Sequence, residues 1–251
     1  IVYKVAARCS TGYTDEIISW VRGLLKWIPL DSVIYVAQHA PLGHEGGTVG
    51  NEDVLLDMLS GRKVEFLSGH NHVNHNSVVT EDVFSHNIAA ICGAWWDTEH
   101  CIDGSPRGYK VFAKSGDSLS WYYKPVAFGK EHIAELIPYG SVEEYPDAVI
   151  VNVWDWDPCW KVEWYEDGVY KGPMTQISIS SPVYIAEIQQ FYGSIGKPVP
   201  NWKRPRPSMH NFAAHPSPEA KQVTVVVQTR FGQKWQQTVW MTSGNGNRSS
   251  N

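Results

Sequence analysis

The apolar positions change period along the chain. Ile17, Val21, Leu24, Leu25 and Ile28 recur at helical spacing behind Thr14-Asp15-Glu16, a hydroxyl cap followed by two acids that suit the positive end of a helix, and Pro29 closes the run. Residues 33–38 are short, β-branched and nearly all apolar, the pattern of a strand buried on both faces. A second helix is predicted over 52–60, between Asn51 and Gly61, and a second buried strand over 64–68. Weak alternation predicts a strand over 1–7. From there on the pattern turns to β. Strands are predicted over 88–94, 108–113, 118–125, 148–155, 160–165, 169–175, 223–229 and 235–241, with turn signals at Ser115-Gly116-Asp117, Glu166-Asp167-Gly168 and Phe231-Gly232. One amphipathic helix is predicted over 182–191, a Pro-rich loop over 197–207, and a frayed Gly-rich polar tail from Ser243. There is no internal repeat. The change of pattern near 127–131 predicts two domains, 1–127 and 128–251.

Composition sharpens this reading. Of 251 residues, 43% are hydrophobic and 19% charged, so most of the chain can build a core and disorder is excluded over most of its length. The net charge is −5 and no basic stripe exists, which argues against a nucleic-acid partner. The densest basic stretch, Lys203-Arg204-Pro205-Arg206, reads as a solvated loop. No apolar run is long enough to span a membrane. The 12 Trp and 12 Tyr are read first as core and cross-strand residues, and second as platforms for sugars. Four cysteines form no CxxC pair, which excludes a zinc ribbon. Cys92 and Cys101 are either a bridge in an exported protein or two buried thiols. The start at Ile1, without Met, reads as internal to a longer protein.

The sharpest chemical signal is Gly69-His70-Asn71-His72 at the end of one predicted strand, with His39 at the end of the preceding one. Ligand sites in open α/β sheets gather at the carboxyl ends of strands. Side chains two apart in extended backbone point the same way, roughly 6–7 Å apart, so two such imidazoles can serve two different ions. His39 can complete the nitrogen ligands of one of them. The glycine is read as the residue that lets the backbone turn at the ligand loop. Taken alone, such a histidine pair is more often a structural or surface feature. The placement of both segments at strand ends favours metal.

The order helix, strand ending in His39-Ala-Pro-Leu42, then strand ending in Gly69-His-Asn-His72 resembles the second half of the calcineurin-like metallophosphoesterases. Downstream, Ile91-Cys-Gly-Ala-Trp-Trp96, Asp103-Gly-Ser-Pro-Arg-Gly-Tyr109 and Ser120-Trp-Tyr-Tyr-Lys124 resemble a secreted bacterial subgroup. Asn152-Val-Trp-Asp-Trp156 and residues 160–168 are similar to the start of its C-terminal β domain. The resemblance implies an α+β fold, with the C-terminal half of a metallophosphoesterase α/β sandwich followed by a β-sandwich-like domain. It implies hydrolysis of phosphomonoesters or phosphodiesters on two divalent ions (Zn, Fe or Mn), with His39 and His70 on one ion and His72 on the other. It also implies a periplasmic or cell-surface location.

One departure matters. The family's upstream motifs, Asp-x-His, Gly-Asp with its bridging Asp, and Gly-Asn-His, have no counterpart in residues 1–38, whose acids are Asp15, Glu16 and Asp31 only. Three imidazoles without an anionic bridge do not hold two dications close together, because the repulsion is uncompensated. The chain alone is therefore expected not to be a competent phosphoesterase, with no catalytic residue of its own, and the reading leaves open whether it retains any metal. The missing half leaves an open sheet edge, to be covered by that half or by an oligomer contact.

Further candidates are weaker. His44 and His75 are read as substrate contacts or as solvated loop residues, and Trp95 and Trp96 as walls of the site or as core. Asp155 and Asp157 carry too few oxygen ligands for a calcium site, and Cys92 lacks a partner base. The competing function is a β-sandwich binding module for glycan or protein that carries an inert half-site. A His-Asn-His nuclease fits neither the spacing nor the acidic charge.

Overall fold

The computed structural model describes residues 12–43, 50–116 and 118–241; the expected strand over 1–7, the expected frayed tail and His44 lie outside them. The fold is mixed α+β, mostly strands in several sheets with few helices. By contacts the chain divides into two compact units. One holds the described residues up to Asn71 with Ser77–Asn87, the other His72–Asn76 with those from Ile88 on.

In the first unit, α1 (Asp15–Leu25) opens as the sequence predicts: the Thr14 hydroxyl accepts from the Ile17 N–H at 3.3 Å. Its far end is closed by Arg62, which is buried and donates to the carbonyls of Leu25, Ile28 and Pro29. A cation there suits the negative end of the helix. The second helix, α2 (Glu52–Met58), begins differently from expectation. Asn51 stands in the left-handed region at φ 60° and makes no cap. Its amide donates to the Tyr13 carbonyl at 2.7 Å and to Asp15 at 3.2 Å, tying the starts of the two helices together. The strands β1 (Ile34–Ala37), β2 (Val64–Ser68), β3 (His75–Thr80) and β4 (Val83–Asn87) lie in the order β1-β2-β4-β3. The β1–β2 and β2–β4 pairs are parallel, with Ile34 opposite Val64 and Phe66 opposite Ser85. Ile18, Leu55, Leu59, Val64, Phe66 and Val83 form the core. Of the periodic positions that predicted α1, Val21 and Leu25 pack against this core, but the helix's buried residue is Ile18 and Leu24 is exposed.

The second unit opens with the hairpin β5 (Gly108–Ser115) and β6 (Ser118–Pro125). Two four-stranded antiparallel sheets follow. One is ordered β11-β12-β8-β7, from β7 (Ala134–Ile137), β8 (Val149–Val153), β11 (Thr175–Ile179) and β12 (Ser208–Ala214). The other is β10-β9-β13-β14, from β9 (Lys161–Glu166), β10 (Val169–Pro173), β13 (Gln222–Gln228) and β14 (Lys234–Trp240). Val149, Val151 and Val153 from the first sheet meet Val162, Trp164, Val223, Val225 and Val227 from the second in one core. The helix α3 (Pro182–Ser194), capped by Ser181, buries Tyr184, Ile188 and Tyr192 against Ala94 and Ile102.

Three differences from the pattern reading have physical causes. The expected strand over 88–94 is a series of turns, because Gly93 at φ 57° and Trp95 and Trp96 at φ 56° and 70° cannot continue an extended chain. The expected strand over 169–175 is two strands, β10 and β11, which belong to different sheets. Strands β3, β4, β7 and β12 are unexpected, and β12 is hidden by polarity: His210 and Asn211 are buried within it, and His210 Nε2 contacts Asp103 at 3.1 Å.

Candidate functional site

The backbone brings His39 and His70 side by side. Beyond β1 and β2 the parallel ladder runs on for two more bonds, Gln38 N–H to Leu67 O at 3.0 Å and Gly69 N–H to His39 O at 3.0 Å. The His39 loop is braced on both flanks. Tyr13 donates to the Gln38 side chain at 2.7 Å, which in turn donates to the Ala40 carbonyl at 2.8 Å. The Glu52 carboxylate accepts from the Gly43 N–H at 2.9 Å. Burial pushes the Tyr13 hydroxyl up to about 12, so it stays a donor at any physiological pH. The sharp turn expected at Gly69 falls instead on His70 and His72, with φ 73° and 54°. Left-handed histidines cost of order 1–3 kcal/mol each and collect at functional sites.

His39 Nε2 and His70 Nδ1 stand 2.9 Å apart, on rings inclined at 78°, and both residues are exposed. At that distance one nitrogen carries the proton and the other accepts it. Two nitrogens of one tetrahedral zinc site stand ~3.3 Å apart, given bonds of about 2.0–2.1 Å. The pair therefore needs to open by only a few tenths of an ångström to share an ion.

His72 belongs to the second unit. Its Nδ1 lies 2.7 Å from the Gly93 carbonyl and so carries the proton, which leaves the lone pair on Nε2. A metal-binding imidazole is oriented in this way, by a bond from its other nitrogen. The Trp95 ring stacks on it at 4.0 Å and 17°. Gly93 cannot be replaced quietly: it is left-handed, and a Cβ there would lie 2.4 Å from the Thr98 carbonyl. His75 begins β3, with its pKa lowered by desolvation and by the charge of His210.

The segment that carries His72 is fixed by a buried polar cluster. Asp103 accepts from the Asn74 N–H at 2.6 Å, from both donors of Ser105 at 3.1 Å, and from His210 at 3.1 Å. The Asn74 side chain accepts from the Ala89 N–H at 3.0 Å, and Asn76 donates to Asp155 at 2.9 Å. Lys110 completes this second group at 2.7 Å from Asp155. Sequence reasoning did not single out Asn74, Asn76, Lys110, Ser105 or His210. The signal available was their company: Asp103 and Ser105 lie in the Asp-Gly-Ser-Pro-Arg-Gly run.

A family model described as the C terminal of calcineurin-like phosphoesterase matches residues 85–235, more than half of the chain. The chain belongs to the calcineurin-like phosphoesterases. This family acts on phosphate esters and generally uses divalent metals. No curated protein and no solved structure matches the chain.

The phosphoesterase chain fits such ions only in part. His39 and His70 suit one cation as a nitrogen pair, and His72 is oriented as a ligand is. Among the described residues, however, no group of three His, Cys, Asp or Glu is placed to hold an ion. Asp155 and Asp157, weighed as calcium ligands, are engaged otherwise. Asp157 takes both Arg230 nitrogens at 2.7 and 2.9 Å and the Cys159 N–H at 2.8 Å. Cys92 and Cys101 are both thiols, and burial pushes Cys101 well above the ordinary thiol value. Among the described residues no helix is long and apolar enough to cross a membrane.

Proposed function

We propose that this chain is the part of a metal-dependent phosphoesterase that supplies imidazole ligands to a two-metal site, His39 and His70 to one ion and His72 to the other. The observation that carries the reading is the 2.9 Å approach of His39 Nε2 to His70 Nδ1 at two adjacent strand ends. Bound divalent ions neutralise charge on the phosphoryl oxygens of a phosphomonoester or phosphodiester. The chain's own residues orient the ligands: Gly93 sets the tautomer of His72, Trp95 covers its ring, and Gln38 and Glu52 hold the His39 loop.

These 251 residues alone do not hydrolyse phosphate esters, because the imidazoles lack the carboxylate that offsets two cations. The exposed side chains of Trp20, Leu24, Trp27 and Leu30, on and after α1, are the face that a further part of the protein or a second copy covers. The test is turnover of bis(p-nitrophenyl) phosphate and p-nitrophenyl phosphate by the purified chain with Mn²⁺, Zn²⁺ or Fe²⁺. The expected result is the buffer rate. Turnover that disappears in His39→Ala would contradict the incompetence of the chain.

A further inference from the structure

In the second unit a groove of about 440 Å³ lies between the turn at Trp96 and the outer face of α3. Trp96, Asp97, Glu99, Glu187, Gln190 and Phe191 line it. That volume is in the range of small-molecule sites. Trp96 is 71% exposed. Leaving an indole in water forgoes roughly 1.5–3 kcal/mol of burial, and its left-handed backbone adds strain.

Nothing about this turn is loose. The Trp96 N–H donates to the Cys92 carbonyl at 2.7 Å. On one side Trp95 is stacked on His72. On the other Asp97 accepts from Tyr192 at 3.0 Å and pairs with Lys203. Trp96 thus presents an exposed indole from a backbone held by anchored neighbours. A fixed backbone lowers the entropy lost when a ligand binds.

The charges select the ligand. Each carboxylate has a cationic partner: Asp97 has Lys203, Glu99 has Arg107 at 2.9 Å, and Glu187 has His100 at 2.7 Å. Burial works against the charge on His100, but the bond to Glu187 and that carboxylate's charge outweigh it and raise its pKa. A cationic ligand therefore meets little uncompensated negative charge. Among the described residues the lining holds no lysine or arginine to receive an anion. Oxygen acceptors and an exposed amide beside an aromatic plane suit neutral hydroxyl groups on a ring with an apolar face.

We propose that this groove binds a neutral oligosaccharide, with one pyranose ring stacked on Trp96 and its hydroxyls bonded to Glu99, Glu187 and Gln190. The site rests on the second unit's own residues and needs no metal ion.

The test is calorimetric titration of the purified chain with hexasaccharides of glucose, mannose, xylose and N-acetylglucosamine, and with tetramethylammonium and inorganic phosphate as charged probes. Trp96→Asn suits the left-handed backbone and keeps the melting temperature, while Trp202→Ala, at another exposed tryptophan, serves as a control. The expected result is binding of at least one hexasaccharide, weakened at least about tenfold by Trp96→Asn and by Gln190→Ala and unchanged by Trp202→Ala. Three results would each overturn the proposal: no hexasaccharide binds, binding survives Trp96→Asn, or a charged probe binds more tightly than every sugar.

Discussion

Trp27 in the first unit is 86% exposed, whereas Trp154 in the second is 2% exposed. The first unit keeps its histidine pair at the surface and shows Trp20, Leu24 and Leu30 to solvent beside Trp27. The second buries Lys110 with Asp155, and Asp103 with His210. A surface imidazole can take up a proton or a cation at little cost to the fold. A buried ion pair fixes loops, and breaking it costs more than its formation contributes. The first unit thus offers an exposed imidazole pair, whereas these ion pairs of the second unit act as fasteners.

The largest effect is expected at the fasteners. Lys110→Met leaves the Asp155 carboxylate buried without its cation and should cost about 3–5 kcal/mol in denaturant unfolding. The pH dependence is a second check. Burial raises the Asp155 pKa and Lys110 pulls it down, so removing Lys110 raises it further. The cost of Lys110→Met should therefore shrink as pH falls and grow as pH rises. A cost independent of pH would mean that Lys110 acts through packing alone.

Trp154→Ala should destabilise by a similar amount, about 3–5 kcal/mol. Trp27→Ser, the same residue type in the other unit, should fall within about 0.5 kcal/mol. If Trp27→Ser also lowers the sedimentation coefficient, the exposed face is one that copies of the chain share. Equal costs for the two tryptophans would erase the contrast.

A smaller effect is expected at His100 and Glu187. The raised histidine pKa gives stability that is full below the ordinary value near 6.5 and lost as pH rises through the raised one. Burial works to raise the Glu187 pKa, but the bonds from His100 and from backbone N–H groups lower it. That gives stability present above the ordinary value near 4.5 and lost as pH falls through the lowered one. Glu187→Gln should therefore cost most between these two ordinary values, about 1–2 kcal/mol, and less on either side. Thermal melting across that range measures it, and a flat difference would contradict the pairing.

The first unit was the more legible in sequence. Its helix start at Thr14, its strand at 64–68 and the approach of His39 to the His70 segment are written in local patterns: a cap, a period, two strand ends. The second unit's fasteners are long-range. Asp155 meets Lys110, Asp157 meets Arg230 and Asp103 meets His210, and no local period connects such partners. The strand β12 escaped notice because its buried polar residues imitate a loop. The stretch 88–94 imitated a strand because composition does not reveal the left-handed residues at Gly93, Trp95 and Trp96. The partner of His72, the Gly93 carbonyl, is a backbone atom and leaves no mark in side-chain chemistry.

His39 and His70 are proposed as a ready nitrogen pair for one metal ion, in a chain that alone does not complete a two-ion site. The most direct measurement is a zinc titration of the purified chain followed through its imidazole ¹H–¹⁵N signals, with metal content determined after exhaustive dialysis. The His39 and His70 signals are expected to move first, His39→Ala to abolish the response, and fewer than two ions per chain to survive dialysis. Silence of those two signals, or two ions retained per chain, would contradict it.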